Sequence, residues 1–230
     1  GRDWKLENFI PKRLGIAKNV KWDFPSEPLD QEDTSHCVGF SMAHFGINLP
    51  TLTMYSRQEA HNLYYKCKEI DGDPRGEDGT TIRSAAKVLQ NIGAINNYAF
   101  AKEMESIRWW LMNKGPLIVG TVWTEGMMVP DEDNSVDISG FILGGHAYII
   151  NEWVDGYIGI QNSWGSGWGK DGTAYISAED FKQIFYYGGE ALTAVELENY
   201  KAKQEDWLIR LINKILEWLC GKGNEKQRKN

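Results

Sequence analysis

One eight-residue segment, 162–169, constrains this chain more than any other part of its sequence. It reads Asn-Ser-Trp-Gly-Ser-Gly-Trp-Gly and follows the pair His146-Ala147 and, much further upstream, Cys37 and Gln31. Together these pieces supply a thiol, an imidazole, an amide that can orient the imidazole, and a second amide near the thiol. That is the set of groups that a cysteine nucleophile site needs.

The order of these residues resembles that of the papain family of cysteine peptidases. In that family a Gln sits six positions before the nucleophile, as Gln31 does before Cys37, and a His-Ala pair opens an apolar strand, as in 146–150. The family's Asn-Ser-Trp-Gly-x-x-Trp-Gly segment is matched throughout by 162–169. The resemblance covers 22–176 and implies an α+β fold, in which a helical half and an antiparallel sheet half enclose an active-site cleft.

The resemblance also implies a role for each site residue. A free thiol has a pKa of about 8.5, so attack on an amide requires something that stabilises the thiolate. Cys37 at a helix N-terminus and His146 as base and acid would supply this, and in the family the two rest as an ion pair. Asn162 would accept from the imidazole, Trp164 would shield that bond from water, and Gln31 would donate to the oxyanion beside the Cys37 N–H. The function implied is hydrolysis of peptide bonds through a thioester acyl-enzyme.

Three features depart from the family pattern. Val38 stands where the family has Trp, and 76–80 replaces a Cys-Asn-Gly-Gly segment that lines the family's substrate groove. Cys37 precedes His146 by 109 residues, a shorter separation than the family's. The stretch 78–83 resembles bacterial and phage-encoded members. Two alternatives therefore stay open beside the peptidase, a papain-fold cell-wall amidase and a non-catalytic papain-fold binding protein.

Charge and composition limit the partners. The formal net charge is −7, whereas nucleic-acid binding needs clustered Lys and Arg. No stretch approaches the roughly 20 uncharged apolar residues of a membrane span. The resemblance implies a peptide or protein substrate and no cofactor, and charge and composition lead us to expect no nucleic acid or membrane partner. We also expect no metal, because no Cys-x-x-Cys or His-x-x-x-His pair occurs. His36 is disfavoured as a rival base, because adjacent side chains on an entering helix diverge.

The three cysteines are Cys37, Cys67 and Cys220. Secreted papain relatives pair a cysteine just before the nucleophile with one in the following segment, but Thr34 occupies the earlier position here. Cys67 is therefore expected to be a free thiol. A reducing compartment such as the cytoplasm is favoured.

Hydrophobic periodicity and turn residues predict the elements. We expect an N-terminal arm over 1–30 that packs Trp4, Phe9 and Trp22, and a catalytic domain over 31–197 that is helical to 114 and sheet-forming from 115. Expected helices cover 37–45, capped by Thr34 or Ser35 and ended by Gly46, then 56–69 and 81–92. Expected strands cover 117–122, 147–153, 157–161 and 173–176. The charged loop 125–140 is expected to be solvated, with a role in substrate preference as the alternative.

The C-terminal segment 198–230 lies outside the resemblance. Within it, 206–219 has a broad apolar arc at helical spacing, which predicts an amphipathic helix followed by a basic tail. Such a face has to be covered by the enzyme domain itself, by self-association, or by docking to a membrane or a partner. Mixed charge on the polar face disfavours a membrane.

Overall fold

The computed structural model of this protein describes residues 4–9, 19–24, 26–48, 51, 53–73 and 78–195. The helices are α1 Cys37–Ile47, α2 Arg57–Asp71, α3 Ile82–Asn91, α4 Met104–Asn113 and α5 Ala178–Tyr186. The strands are β1 Trp4–Lys5, β2 Val20–Lys21, β3 Tyr98–Ala101, β4 Leu117–Thr124, β5 Ser135–Val136, β6 Ile142–Val154, β7 Tyr157–Gln161, β8 Thr173–Ser177 and β9 Glu190–Ala194. The predicted C-terminal helix and Cys220 lie outside the described residues, as do the side chains of Trp4 and Phe9.

Local capping chemistry sets the starts of α2 and α3. Ser56 accepts from the Glu59 N–H, and the Glu59 side chain returns a bond to the Ser56 N–H, which forms a capping box. Thr81 caps α3 by accepting from the Ser84 N–H. Both helices were predicted to within two residues, because these signals lie in the sequence itself.

α1 begins at Cys37 as predicted, but its predicted cap and its predicted end are both wrong. His36 occupies the N-cap position and makes no side-chain capping bond, while the Thr34 hydroxyl donates to the Gln31 carbonyl at 2.5 Å. The helix also continues past Gly46 to Ile47. A Cβ on Gly46 would lie 2.4 Å from Cε2 of Tyr55, so this glycine makes room for a packed ring and does not end the helix.

The strands form one mixed, mostly antiparallel sheet in the order β1-β3-β9-β4-β6-β7-β8-β5, with β2 also paired to β6. β7 has its predicted bounds, but β6 begins five residues before the predicted start at Ala147, because 142–145 pair with β4 despite two glycines. Sequence reasoning missed α4, α5, β3 and β9. β3 lies in the range expected to be helical, yet it pairs with β9.

The two layers meet where α1 packs against β6. This contact places the N-terminus of α1 beside the middle of β6, where His146 and Ala147 lie. The N-terminal segment packs on the opposite part of β6, where β2 pairs at Trp153 and the Trp22 indole donates to the Leu111 carbonyl at 2.6 Å.

Cys67 is a free thiol, as predicted. It is fully buried in α2, and its Sγ lies 3.5 Å from Sδ of Met42. Burial raises the pKa of the Cys67 thiol to about 12, so this sulfur is unreactive in the folded chain. In the part of the chain that the structure describes, no helix is long and apolar enough to cross a membrane.

Candidate active site

Cys37 is the first residue of α1 and is half-buried. Burial raises the pKa of its thiol, while the backbone N–H groups of Ala147, Val38 and Cys37 itself act to lower it. Two of these N–H groups are unpaired donors of the first helical turn, and the third comes from β6. The α1–β6 contact therefore surrounds the sulfur with donors that would stabilise a thiolate.

The second feature is the hydrogen bond between His146 Nε2 and Asn162 Oδ1, at 2.7 Å. Asn162 Oδ1 also accepts the backbone N–H of Ser163 at 2.8 Å. A backbone N–H can only donate, so the atom of Asn162 that faces it is an acceptor. His146 Nε2 must then carry the proton, which leaves Nδ1 of the neutral ring as a proton acceptor.

Aromatic rings enclose His146. The Trp123 ring lies 4.6 Å from the imidazole centroid in an edge-to-face arrangement, and the Trp164 ring lies 5.1 Å away. Burial lowers the pKa of His146 to about 4, and the hydrogen bond to Asn162 acts in the opposite direction. Trp164 was expected at this position from its motif. Trp123 was missed, because only the β4–β6 register, which pairs it with Gly144, brings it here.

Cys37 and His146 line one cavity of about 440 Å³ between the helices and the sheet. Both side chains are described, and no hydrogen bond joins Cys37 Sγ to the His146 ring in this conformation. Burial raises the pKa of the thiol and lowers that of the imidazole, so the neutral pair is favoured. Burial therefore acts against the resting ion pair that the resemblance implies.

Gln31 is buried and held at both ends of its carboxamide. Its Oε1 accepts from the Ser163 hydroxyl at 2.6 Å, and its Nε2 donates to the Thr34 carbonyl at 2.5 Å. The Gln31 N–H also donates to the Ser163 carbonyl at 2.8 Å. Because a carboxamide carries two N–H donors, one remains for another acceptor.

Ser163 therefore connects Gln31 to Asn162. It holds the acceptor end of Gln31 with its hydroxyl and fixes Asn162 with its backbone N–H. Sequence reasoning gave Ser163 no role, although it lies inside the segment that carries the resemblance. Ser163 lies between Asn162 and Trp164, to which roles had been given, and this position could have drawn attention to it.

His36 does not face the cavity. Its ring stacks on Tyr64 with centroids 3.8 Å apart, and its Nδ1 lies 2.7 Å from Nδ1 of His61. Burial lowers the pKa of His36, and the nearby His61 acts in the same direction. The described residues contain no group of three or more His, Cys, Asp or Glu that could hold a metal ion.

No protein-family model matches the sequence. No curated protein is significantly similar to it either.

Solved structures, in contrast, are similar to this one. Xylellain, a cysteine protease from Xylella fastidiosa, is 18% identical with a TM-score of 0.57 over 72% of this chain and 81% of its own. Digestive procathepsin L 3 of Tenebrio molitor is 18% identical with a TM-score of 0.58 over 80% of this chain and 71% of its own. A structure from work on the mite allergens Blo t 1 and Der p 1 is 16% identical with a TM-score of 0.55 over 84% of this chain and 74% of its own. The chain has the α+β fold of the papain-like cysteine proteases.

Proposed function

We propose that this chain is a cysteine peptidase that hydrolyses peptide bonds through a thioester formed on Cys37. The hydrogen bond from His146 Nε2 to Asn162 Oδ1 is the observation that carries the proposal. It fixes the imidazole as the tautomer whose Nδ1 accepts a proton, and that is the form a general base must have. The cavity shared by Cys37 and His146 supplies a place for the scissile bond.

Acylation begins when His146 Nδ1 takes the proton of the Cys37 thiol. The sulfur attacks the carbonyl carbon of the peptide, and the carbonyl oxygen becomes an oxyanion. The N–H of Cys37 and the second N–H of Gln31 donate to that oxygen. The oxyanion then collapses, the carbon–nitrogen bond breaks, and protonated His146 gives its proton to the departing amine, which leaves a thioester on Cys37.

Deacylation uses the same groups. Neutral His146 removes a proton from water as the water oxygen attacks the thioester carbonyl. The carbon–sulfur bond breaks, the sulfur regains a proton from the imidazolium, and a carboxylic acid product departs.

A non-catalytic papain-fold binding protein is the second candidate. The specific observation in its favour is that no hydrogen bond joins Cys37 Sγ to the His146 ring in this conformation. Against it stands the doubly anchored Gln31 carboxamide, which a binding cleft does not require.

Turnover of three substrate sets separates the candidates, a peptide library, casein and peptidoglycan. The peptidase proposal expects cleavage of peptides and casein that is lost in Cys37→Ala and His146→Ala. Cys67→Ala is the matched control, because it removes a buried thiol away from the cavity. Release of peptidoglycan fragments alone would identify an amidase, and binding without turnover of any substrate would identify a binding protein.

A further inference from the structure

The cavity beside Cys37 has a floor made of small residues. Gly120 of β4 pairs with Ala147 of β6 on one side and with Glu190 of β9 on the other. Directly opposed residues of antiparallel strands point to the same face of a sheet. These three residues therefore form one cross-strand row that starts at Ala147, whose N–H faces the Cys37 sulfur, and ends at the Glu190 carboxylate.

The opposite wall comes from α3 and the segment before it. A Cβ on Gly120 would lie 2.9 Å from Cγ1 of Ile82, so the Ile82 side chain packs against Gly120 at the middle of the row. Asp78 stands exposed at the rim, on the same side as Ile82. The result is a hollow of about 440 Å³ that opens at the nucleophile and is lined by a mixture of apolar side chains and threonines.

The charges that line this hollow are all negative. Among the residues that the structure describes, its lining includes Asp78 and Glu190 and neither Lys nor Arg. Arg83 approaches Glu190 from outside the lining, with Nη2 at 3.9 Å from Oε1, and it is 42% exposed. The Arg83 guanidinium also lies over the Phe100 ring at 5.3 Å.

A long ion pair with an exposed partner leaves Glu190 able to accept a second cation. Exposed ion pairs are weak, and a carboxylate has about four lone-pair sites. The apolar side chains in the lining suit a long aliphatic stem with a charged end, as in Lys and Arg.

We propose that this hollow selects substrates with a basic side chain close to the scissile bond, and that Glu190 is the main residue that recognises it. The inference rests on the proposed peptidase function. Asp78 adds a second negative charge at the entrance, where it attracts cationic peptides rather than fixing their position.

The test compares two peptides that differ in one charge. A positional library first identifies the preferred residue at each position, and a matched pair then carries either arginine or its neutral isostere citrulline at the basic position. With wild-type protein we expect kcat/KM to be about tenfold higher or more for the arginine peptide, as for a hydrogen bond to a charged group. In Glu190→Gln this ratio should fall towards one.

Glu179→Gln is the control, because Glu179 is a highly exposed carboxylate on α5 outside the lining. It should keep the wild-type ratio. Equal cleavage of the arginine and citrulline peptides by wild-type protein would overturn the inference and leave the peptidase function intact. An undiminished ratio in Glu190→Gln would also overturn it. Failure to cleave any library member would overturn the peptidase function, and the inference with it.

Discussion

Individual hydrogen-bonding atoms determine the chemistry of this site. One backbone N–H, that of Ser163, fixes which atom of Asn162 faces His146, and so decides which imidazole nitrogen carries the proton. The Thr34 carbonyl, which can only accept, decides in the same way that Nε2 is the donor end of Gln31, and the Ser163 hydroxyl then donates to the other end. A single dipeptide, Asn162-Ser163, therefore orients both the base and the proposed oxyanion donor.

Removal of the Asn162 amide should impair catalysis more than folding. Asn162→Ala frees the imidazole to rotate or change tautomer, and we expect kcat to fall by about 10²-fold, the lower range for loss of an effective acid–base group. Asn151→Ala is the matched control, since Asn151 is equally buried but bonds to Trp22 and Asn48. Both variants should lose similar stability in urea unfolding. An equal loss of kcat in the two would show that Asn162 has only a structural role.

Gln31 and Ser163 should show graded effects. Loss of one oxyanion donor costs about 10² to 10³ in kcat, so Gln31→Ala should slow acylation by that amount with little change in KM. Ser163→Ala keeps the Gln31 carboxamide but removes the hydroxyl that donates to its Oε1. The loss in kcat should therefore be smaller than in Gln31→Ala. Single-turnover kinetics measure the acylation step directly. A Gln31→Ala variant with unchanged kcat would place the oxyanion donor elsewhere.

At the scale of elements, the position of the nucleophile depends on how closely α1 approaches α2. A Cβ on Gly39 would lie 2.4 Å from the Ala60 carbonyl oxygen and 2.7 Å from the Tyr64 N. These are backbone atoms, which cannot rotate away. Because Gly39 lies only two residues after Cys37 on the same helix, separation of the helices would also displace the start of α1.

Gly39→Ala should therefore destabilise the fold, although Ala is intrinsically the better helix former by about 1 kcal/mol. We expect a loss of about 1–3 kcal/mol, as for other overpacked sites, measured by urea unfolding. Gly167→Ala is the control, since no atom lies within 4 Å of its Cβ position. A gain in stability for Gly39→Ala would mean that the two helices separate without cost.

At the scale of the whole molecule, two buried histidines make folding sensitive to acid. His44 accepts the Leu29 N–H through Nε2 at 2.9 Å, and burial lowers its pKa to about 4. Burial lowers the pKa of His146 to about 4 as well. Unfolded histidine titrates near 6.5, so between 6.5 and 4 the unfolded chain binds protons that the folded chain does not. The free energy of unfolding should fall as the pH falls through that window.

His44→Gln tests this pH dependence. Gln offers a carbonyl acceptor for the Leu29 N–H but does not titrate, so the fall in unfolding free energy should be shallower by up to about 1.4 kcal/mol per pH unit. Urea unfolding at intervals from pH 7 to pH 4 measures the slope. If the unfolding free energy has the same slope against pH in wild type and variant, His44 takes up its proton while the chain stays folded.

The sequence predicted those parts of the molecule whose signals are local. Ser56 and Thr81 mark their helices by capping, and the segment 162–169 identifies Asn162 by its motif. The parts that were missed depend on tertiary pairing. The four-residue apolar run of β3 has no period of its own, and Trp123 and the Gly120–Glu190 row approach the site only through the registers of β4 with β6 and β9.

The most direct test of the central claim is a mass spectrum of the acyl-enzyme. A slowly hydrolysed ester or peptide substrate is mixed with the full chain, quenched in acid and digested, and the acyl mass is assigned to a residue. We predict one acyl group per chain, on Cys37, and none in Cys37→Ala. The acyl group should form at the rate at which the first product, the amine or alcohol, is released. An acyl group on another residue, or wild-type turnover by Cys37→Ala, would contradict the account.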